Sequence, residues 1–128
     1  MPLFSSLLYA DWGLFLLRLA VGVVFVIHGW PKINNAKAMA SSMGWSANAI
    51  KALGVVEFVS GLALILGVYT QLAALLLAIV MVAAWYHKTM KWHMPFTAMD
   101  KTGWEFDMVL LAANLAIFLS GGGTMVMY

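Results

Sequence analysis

Residues 12–30, WGLFLLRLAVGVVFVIHGW, form an almost unbroken apolar run of the length that carries a helix across a bilayer. A spanning helix needs about 20 mostly apolar residues, at about 1.5 Å each. Only Arg18 and His28 interrupt this run. Ionisable residues inside a span are expensive in lipid and turn toward the bundle interior, so the stretch reads as a membrane span with a polar inner face. Nothing basic precedes it and Arg18 breaks it, which marks an uncleaved first span rather than a signal peptide.

Three more segments continue the pattern. Residues 49–68 contain Glu57, residues 71–87 are uncharged from 72 to 86, and residues 104–120 carry Glu105 and Asp107 at their start and Asn114 inside. Lipid-exposed backbone must be hydrogen-bonded within its own helix. The expected fold is therefore all-α, an integral membrane four-helix bundle forming a single transmembrane domain over residues 1–128. The short GVYTQ segment, 67–71, predicts a tight hairpin between helices two and three. The other two connections, 31–48 and 88–103, are longer. Pro31 is expected to close helix one. Met39, Met43 and Trp45 predict a short helix on the membrane surface. Trp92, Phe96 and Trp104 suit the headgroup zone. Gly121–Gly123 ends helix four and leaves a loose five-residue tail.

Composition narrows the class. Of 128 residues, 64% are hydrophobic and 9% charged, with a mean hydropathy of +0.93. Soluble domains carry about 25% charge, and disordered chains are far less apolar. The chain has no cysteine, which removes disulfide scaffolds, Cys-ligated zinc, iron–sulfur clusters and a thiol relay within it. The net charge of +2 is spread along the chain without a basic stripe, so nucleic acid is not an expected partner and the lipid bilayer is. Lys32, Lys37 and Lys51 flank the first long loop, and Lys88, Lys91 and Lys101 occupy the second. The N-terminal stretch, the hairpin and the tail hold none. By the positive-inside rule both long loops are expected to be cytoplasmic and both termini periplasmic.

Six intramembrane polar residues are candidates for a site: Arg18, His28, Lys32, Glu57, His87 and Glu105. At about 100° per residue, Arg18, Gly22, Phe25, Gly29 and Lys32 share one stripe, and Glu57, Gly61 and Leu64 share another. The glycines on these stripes suit close helix approach. His28, Lys32, His87 and Glu105 lie near helix ends that meet the lysine-bearing loops. Glu57 is about 9 Å up helix two from Lys51, so these five groups converge on the cytoplasmic end. Arg18 is about 21 Å from Lys32 along the axis and belongs to another layer, with Asn114 or Tyr69 as partners to consider. Simpler roles stand beside these. His28 and His87 fit interfacial histidines, Lys32, Lys88 and Lys91 fit topology and snorkelling, and Glu105 fits a helix-start acid. Asp107 shares a face with Asn114, yet also fits a first-turn acid and stays outside the site. Arg18 and Glu57 have no helix end close enough to account for them. No metal-ligand set is visible.

The stretch Leu16-Leu17-Arg18-Leu19-Ala20-Val21-Gly22, continued through His28-Gly29 to Lys32, resembles the first helix of the DoxX family. Glu57 with Gly61, Leu64, Gly67 and Thr70 resembles that family's central hairpin. Gly103-Trp104-Glu105-Phe106 leading into Leu110-Leu111-Ala112-Ala113 resembles its last helix. The resemblance covers about residues 14–122. It implies a four-helix protein of the bacterial inner membrane. One branch of the family supplies membrane subunits of a thiosulfate:quinone oxidoreductase, and other members are tied to oxidative or thiol stress. The basic, aromatic stretch 87–93 and the uncharged tail depart from the family pattern and bear on partner identity.

Four functions compete. The first is an accessory subunit of a quinone-linked oxidoreductase, with His28, Glu57 and Glu105 at a quinone head group. A quinone needs an apolar slot, a donor at its carbonyls and a proton carrier. The chain offers no electron carrier, so electrons would come from a partner subunit. The second is a structural or assembly subunit of a larger complex or homo-oligomer, its charges fixing helix register. The third is proton-coupled passage of a small solute. The least favoured is a haem between His28 and His87, whose helices need not be adjacent.

Overall fold

A computed structural model of the chain describes residues 9–97, 99 and 102–123. Asp100, Lys101 and the tail beyond Gly123 lie outside the described residues, as do residues 1–8. The described residues form five α-helices and no strand: α1 (Ala10–Asn34), α2 (Ala36–Met43), α3 (Ala47–Leu66), α4 (Thr70–Tyr86) and α5 (Trp104–Ser120). A π-helical turn, His87–Lys91, extends α4. Three helices are long and apolar enough to cross a membrane: α1, α3, and α4 with its π-turn. The 17 residues of α5 reach about 26 Å at 1.5 Å per residue, a little under a hydrocarbon core of about 30 Å.

A short helix is expected in the first long connection, and α2 lies there, containing Met39 and Met43 but ending before Trp45. One feature departs from the sequence expectation. Pro31 does not close α1, which runs on to Asn34 with the backbone N–H of Asn35 bonded to the Pro31 carbonyl at 2.7 Å. Proline lacks the N–H that bonds to the preceding turn and its ring crowds the carbonyl there, and in membrane helices neighbouring groups and local adjustment compensate for that loss. The added turn keeps Lys32 on the helical stripe below His28. Its ammonium reaches back to the His28 carbonyl at 3.2 Å.

The long helices pack as two antiparallel pairs. In the α1–α3 pair, Arg18 meets Leu64, Gly22 meets Gly61, Gly29 meets Gly54, and Lys32 meets Glu57. The four glycines are a seam that admits no side chain. A Cβ on Gly22 would sit 2.6 Å from the Gly61 carbonyl oxygen, and one on Gly29 would sit 2.7 Å from that of Gly54. Small residues bring membrane helices this close because packing, not hydrophobic exclusion, drives their association. In the α4–α5 pair, Thr70 Oγ1 donates to the Gly121 carbonyl at 2.9 Å, and Gln71 to that of Phe118 at 2.8 Å. At the other end of this pair Trp85 stacks on Trp104 at 5.4 Å.

Between the pairs lies an apolar core of Val21, Phe25, Leu64, Ala73, Ala74, Leu77, Met81, Leu110 and Ile117. The outer surface is equally apolar. Leu16, Val23 and Ile27 on α1, Val59 and Leu66 on α3, Leu72, Ile79 and Val82 on α4, and Leu119 on α5 are exposed. Contiguous apolar surface on several helices needs a nonaqueous neighbour, which a lipid bilayer provides.

Candidate functional site

At the end bearing Lys32 and Lys88 the two pairs line a cavity of about 350 Å³. Most of its lining is apolar, including Val24, Phe25, Leu53, Val80, Met81, Phe106 and Leu110. Its polar lining comes from Lys32 and His28 on α1, Glu57 on α3, His87 and Lys88 on the π-turn, and Asp107 on α5, with Thr102 at the loop side. Trp45 and Met43, from the connection read as a surface helix, also line it, as does Trp92.

Each helix pair contributes one ion pair. Lys32 Nζ lies 2.8 Å from Glu57 Oε2, joining α1 to α3. Glu57 is nearly fully buried, at 3% exposure. The glycine seam beneath it explains the reach: Lys32 Cβ lies against the position a Gly54 side chain would occupy. Lys88 Nζ lies 2.8 Å from Asp107 Oδ2, joining the end of α4 to α5. The same ammonium donates to Thr102 Oγ1 at 2.8 Å and to the Gly103 carbonyl at 3.4 Å. Asp107 Oδ2 is buried and makes no well-directed hydrogen bond, so its link to Lys88 is a charge contact. Lys88 also stands 5.3 Å from the Phe106 ring centre.

The imidazoles repeat one arrangement. His28 Nδ1 is 2.7 Å from the Val24 carbonyl, and His87 Nδ1 is 2.8 Å from that of Ala83. A carbonyl oxygen only accepts, so each Nδ1 carries the proton, and in the neutral ring each Nε2 is left as an acceptor. His28 packs on Phe106 at 5.2 Å. His87 sits among Trp45, Tyr86 and Trp92, with ring centres 5.0, 5.6 and 5.6 Å away. The π-turn places His87 and Lys88 here, and π-helical segments recur at functional sites.

Of the six candidates from sequence, His28, Lys32, Glu57 and His87 line this cavity and Glu105 and Arg18 do not. Glu105 is half-buried on another face of α5. The buried face of that helix is Asp107, Leu110, Asn114 and Ile117, so the acid that enters the cavity is Asp107. Arg18 is 1% exposed at the opposite end of the α1–α3 seam, where it donates to the Leu64 carbonyl at 3.0 Å and lies over the Phe15 ring. Lys88 and Asp107 are the cavity residues that the sequence candidates omit. The spacing Asp107–Asn114 is the signal that points to the latter.

The described residues are all helical, with three helices able to cross a membrane, and define a small multi-pass membrane protein. The DoxX family model matches residues 13–92, and the chain belongs to the DoxX family. It is similar to CatD of Bacillus subtilis (strain 168), a protein with a provisional oxidoreductase name, at 26% identity over 112 residues, 85% of this chain and 79% of that one. No solved structure matches significantly.

Proposed function

We propose that this DoxX-family protein is an accessory subunit of a quinone-linked oxidoreductase in the bacterial inner membrane, and that its cavity receives the quinone head group. Four spans, α1, α3, α4 and α5, would form one transmembrane domain. The α2 segment and the 88–103 loop would be cytoplasmic and both termini periplasmic, following the lysine distribution. The observation that carries the proposal is the cavity itself. Its volume of about 350 Å³ falls within the range of small-molecule sites, and its mix of apolar wall and few polar groups is their usual make-up.

The donor set fits a quinone. Phe25 and Phe106 supply apolar surface for a ring. Lys32 has three N–H groups and two partners among the described residues, which leaves one to donate to a carbonyl oxygen. Glu57 Oε1, which has no hydrogen bond among the described residues, and His28 Nε2 are able to take or return a proton there. When bound, a quinone supplies two-electron, two-proton redox chemistry. The chain has no cysteine with which to hold an iron–sulfur cluster, so a partner subunit is the proposed electron source. The relative's oxidoreductase name supports the class without specifying the reaction.

The test is binding of decylubiquinone to the purified protein in lipid nanodiscs, followed by quenching of the cavity tryptophans Trp45 and Trp92. Saturable quenching that E57Q weakens about tenfold supports the proposal. Unsaturable quenching, equal to that of an unrelated bundle, removes it. One observation favours a structural role instead: each ion pair crosses a helix seam. That role predicts loss of folding in E57Q with no quinone binding in the parent protein.

A further inference from the structure

Apolar residues on the outer surface mostly have no part in the cavity. Val23 and Ile27 on α1, Val59 on α3, Val82 on α4 and Val109 on α5 are exposed and absent from its lining. Ile79 and Ala83 on α4 differ: both are exposed, Ile79 at 59%, and both line the cavity. A residue that meets both the outside and a cavity stands at a mouth of that cavity.

Helical phase gives the side on which this mouth lies. Trp85 marks the face of α4 turned to α5, because it stacks on Trp104. At about 100° per residue, Ala83 lies about 160° and Ile79 about 120° from Trp85 around α4. The cavity lies between the α1–α3 and α4–α5 pairs, so a mouth on the side of α4 away from α5 falls between α4 and α3. From α3 comes the half-buried Leu53, which also lines the cavity.

The mouth is apolar and deep. Ala83 and Ile79 precede His87 by four and eight residues, about 6 and 12 Å along α4, within a stretch that holds no charge. The other exposed lining residues are of another kind. Trp92 and Thr102 lie at the loop end, where the rings of Trp45 and Trp92 pack on His87. His28 lies on the α1–α5 side, packed on Phe106. Charged groups are thus inside and hydrocarbon is at the α3–α4 mouth, the order in which a lipid-soluble molecule presents head and tail.

Resting on the reading of the cavity as a quinone site, we infer that it takes a tailed, membrane-resident quinone through a lateral portal between α3 and α4. Leu53, Ile79 and Ala83 bound the portal, and the tail of the bound ligand stays between them. On this route the tail passes from lipid to portal without entering water, where its apolar surface would be costly.

The experiment is photolabelling of the nanodisc-embedded protein with a decylubiquinone that carries a diazirine on its tail near the ring. Labelled residues are located by peptide mass spectrometry with and without excess decylubiquinone. Label on Leu53, Ile79 or Ala83 that the competitor suppresses is expected, beside label on Val82 that it leaves unchanged. Competitor-sensitive label on Val23, Ile27 or Val109 instead, or none anywhere, overturns the portal. Saturable quenching of Trp45 and Trp92 in the same samples then still leaves the cavity a quinone site, and its absence overturns both readings. A second measurement takes the affinity ratio of decylubiquinone to the same ring lacking a tail. I79F/A83F is expected to lower that ratio about tenfold, the scale of two methylene groups losing their apolar contacts, and V82F to leave it unchanged. Equal ratios in the two variants overturn the portal, and the labelling of the parent protein stands even if the double variant fails to fold.

Discussion

The two ion pairs of the cavity share a separation of 2.8 Å and a buried carboxylate, yet they are built differently. Lys32–Glu57 joins two long helices held together by a glycine seam. The seam positions the pair, and Lys32 and Glu57 both keep an unused hydrogen-bonding valence. Lys88–Asp107 joins a π-turn to the first turn of a helix, and here the ammonium is itself the tie, gathering Thr102, Gly103 and Asp107 from the loop and from α5. Where packing already fixes the backbone, a charged pair is available for a ligand. Where a loop meets a helix, the ammonium also ties the loop in place.

That contrast predicts unequal costs. The largest is expected for K88M, which leaves the Asp107 carboxylate buried at 2% exposure without its cation, at about 3–5 kcal/mol. Thermal or denaturant unfolding in detergent measures it, and a loss no greater than that of K32M would make the pairs equivalent. G29A comes next. Its new Cβ lies 2.7 Å from the Gly54 carbonyl oxygen and 2.8 Å from the Phe58 nitrogen, and overpacking of this kind costs about 1–3 kcal/mol. The same variant should weaken quinone binding, because opening the seam draws Lys32 away from Glu57; unchanged binding with reduced stability would detach the seam from the site. E57Q is expected to cost about 1 kcal/mol, since the amide still accepts from Lys32, while ligand affinity falls about tenfold. A large stability loss with intact affinity would reverse the roles assigned to the two pairs. The smallest effect belongs to E105Q, outside the cavity lining, with a stability change within about 0.5 kcal/mol and unaltered binding.

Much of the helical architecture is legible because lipid imposes simple rules. Runs of Leu, Val and Ala in the lengths of α1, α3 and α4 have few alternatives to helix, and Gly22, Gly29 and Gly61 mark a seam by their spacing alone. Gly54 completes that seam only when α3 is seen to run antiparallel to α1. Depth along a helix is also readable, which is why His28, Lys32, Glu57 and His87 can be grouped from sequence. Facing is harder. Glu105 and Asp107 are two residues apart, about 200° around the helix, and both sit in the first turn of α5. Which one faces inward depends on the phase with which the helix leaves its loop. Asp107, Leu110, Asn114 and Ile117 carry that phase as a stripe, and depth considered alone passes over it. Lys88 is obscured differently: a lysine beside a loop has a sufficient topological reason to be there, and its partner comes from a helix sixteen residues further on. Pro31 shows a third limit, since a residue that ends helices in water is carried within one here.

The central claim is that a ligand ring occupies the space between the two helix pairs. Photolabelling with an azido-quinone in native membranes, with labelled residues located by peptide mass spectrometry, tests it most directly. The account predicts label on cavity-lining residues of the 24–32 and 53–57 segments, or on Trp45, Trp92 and Phe106, displaced by excess decylubiquinone. Label confined to outward-facing residues such as Leu16, Leu72 and Leu119, and indifferent to competitor, would contradict it.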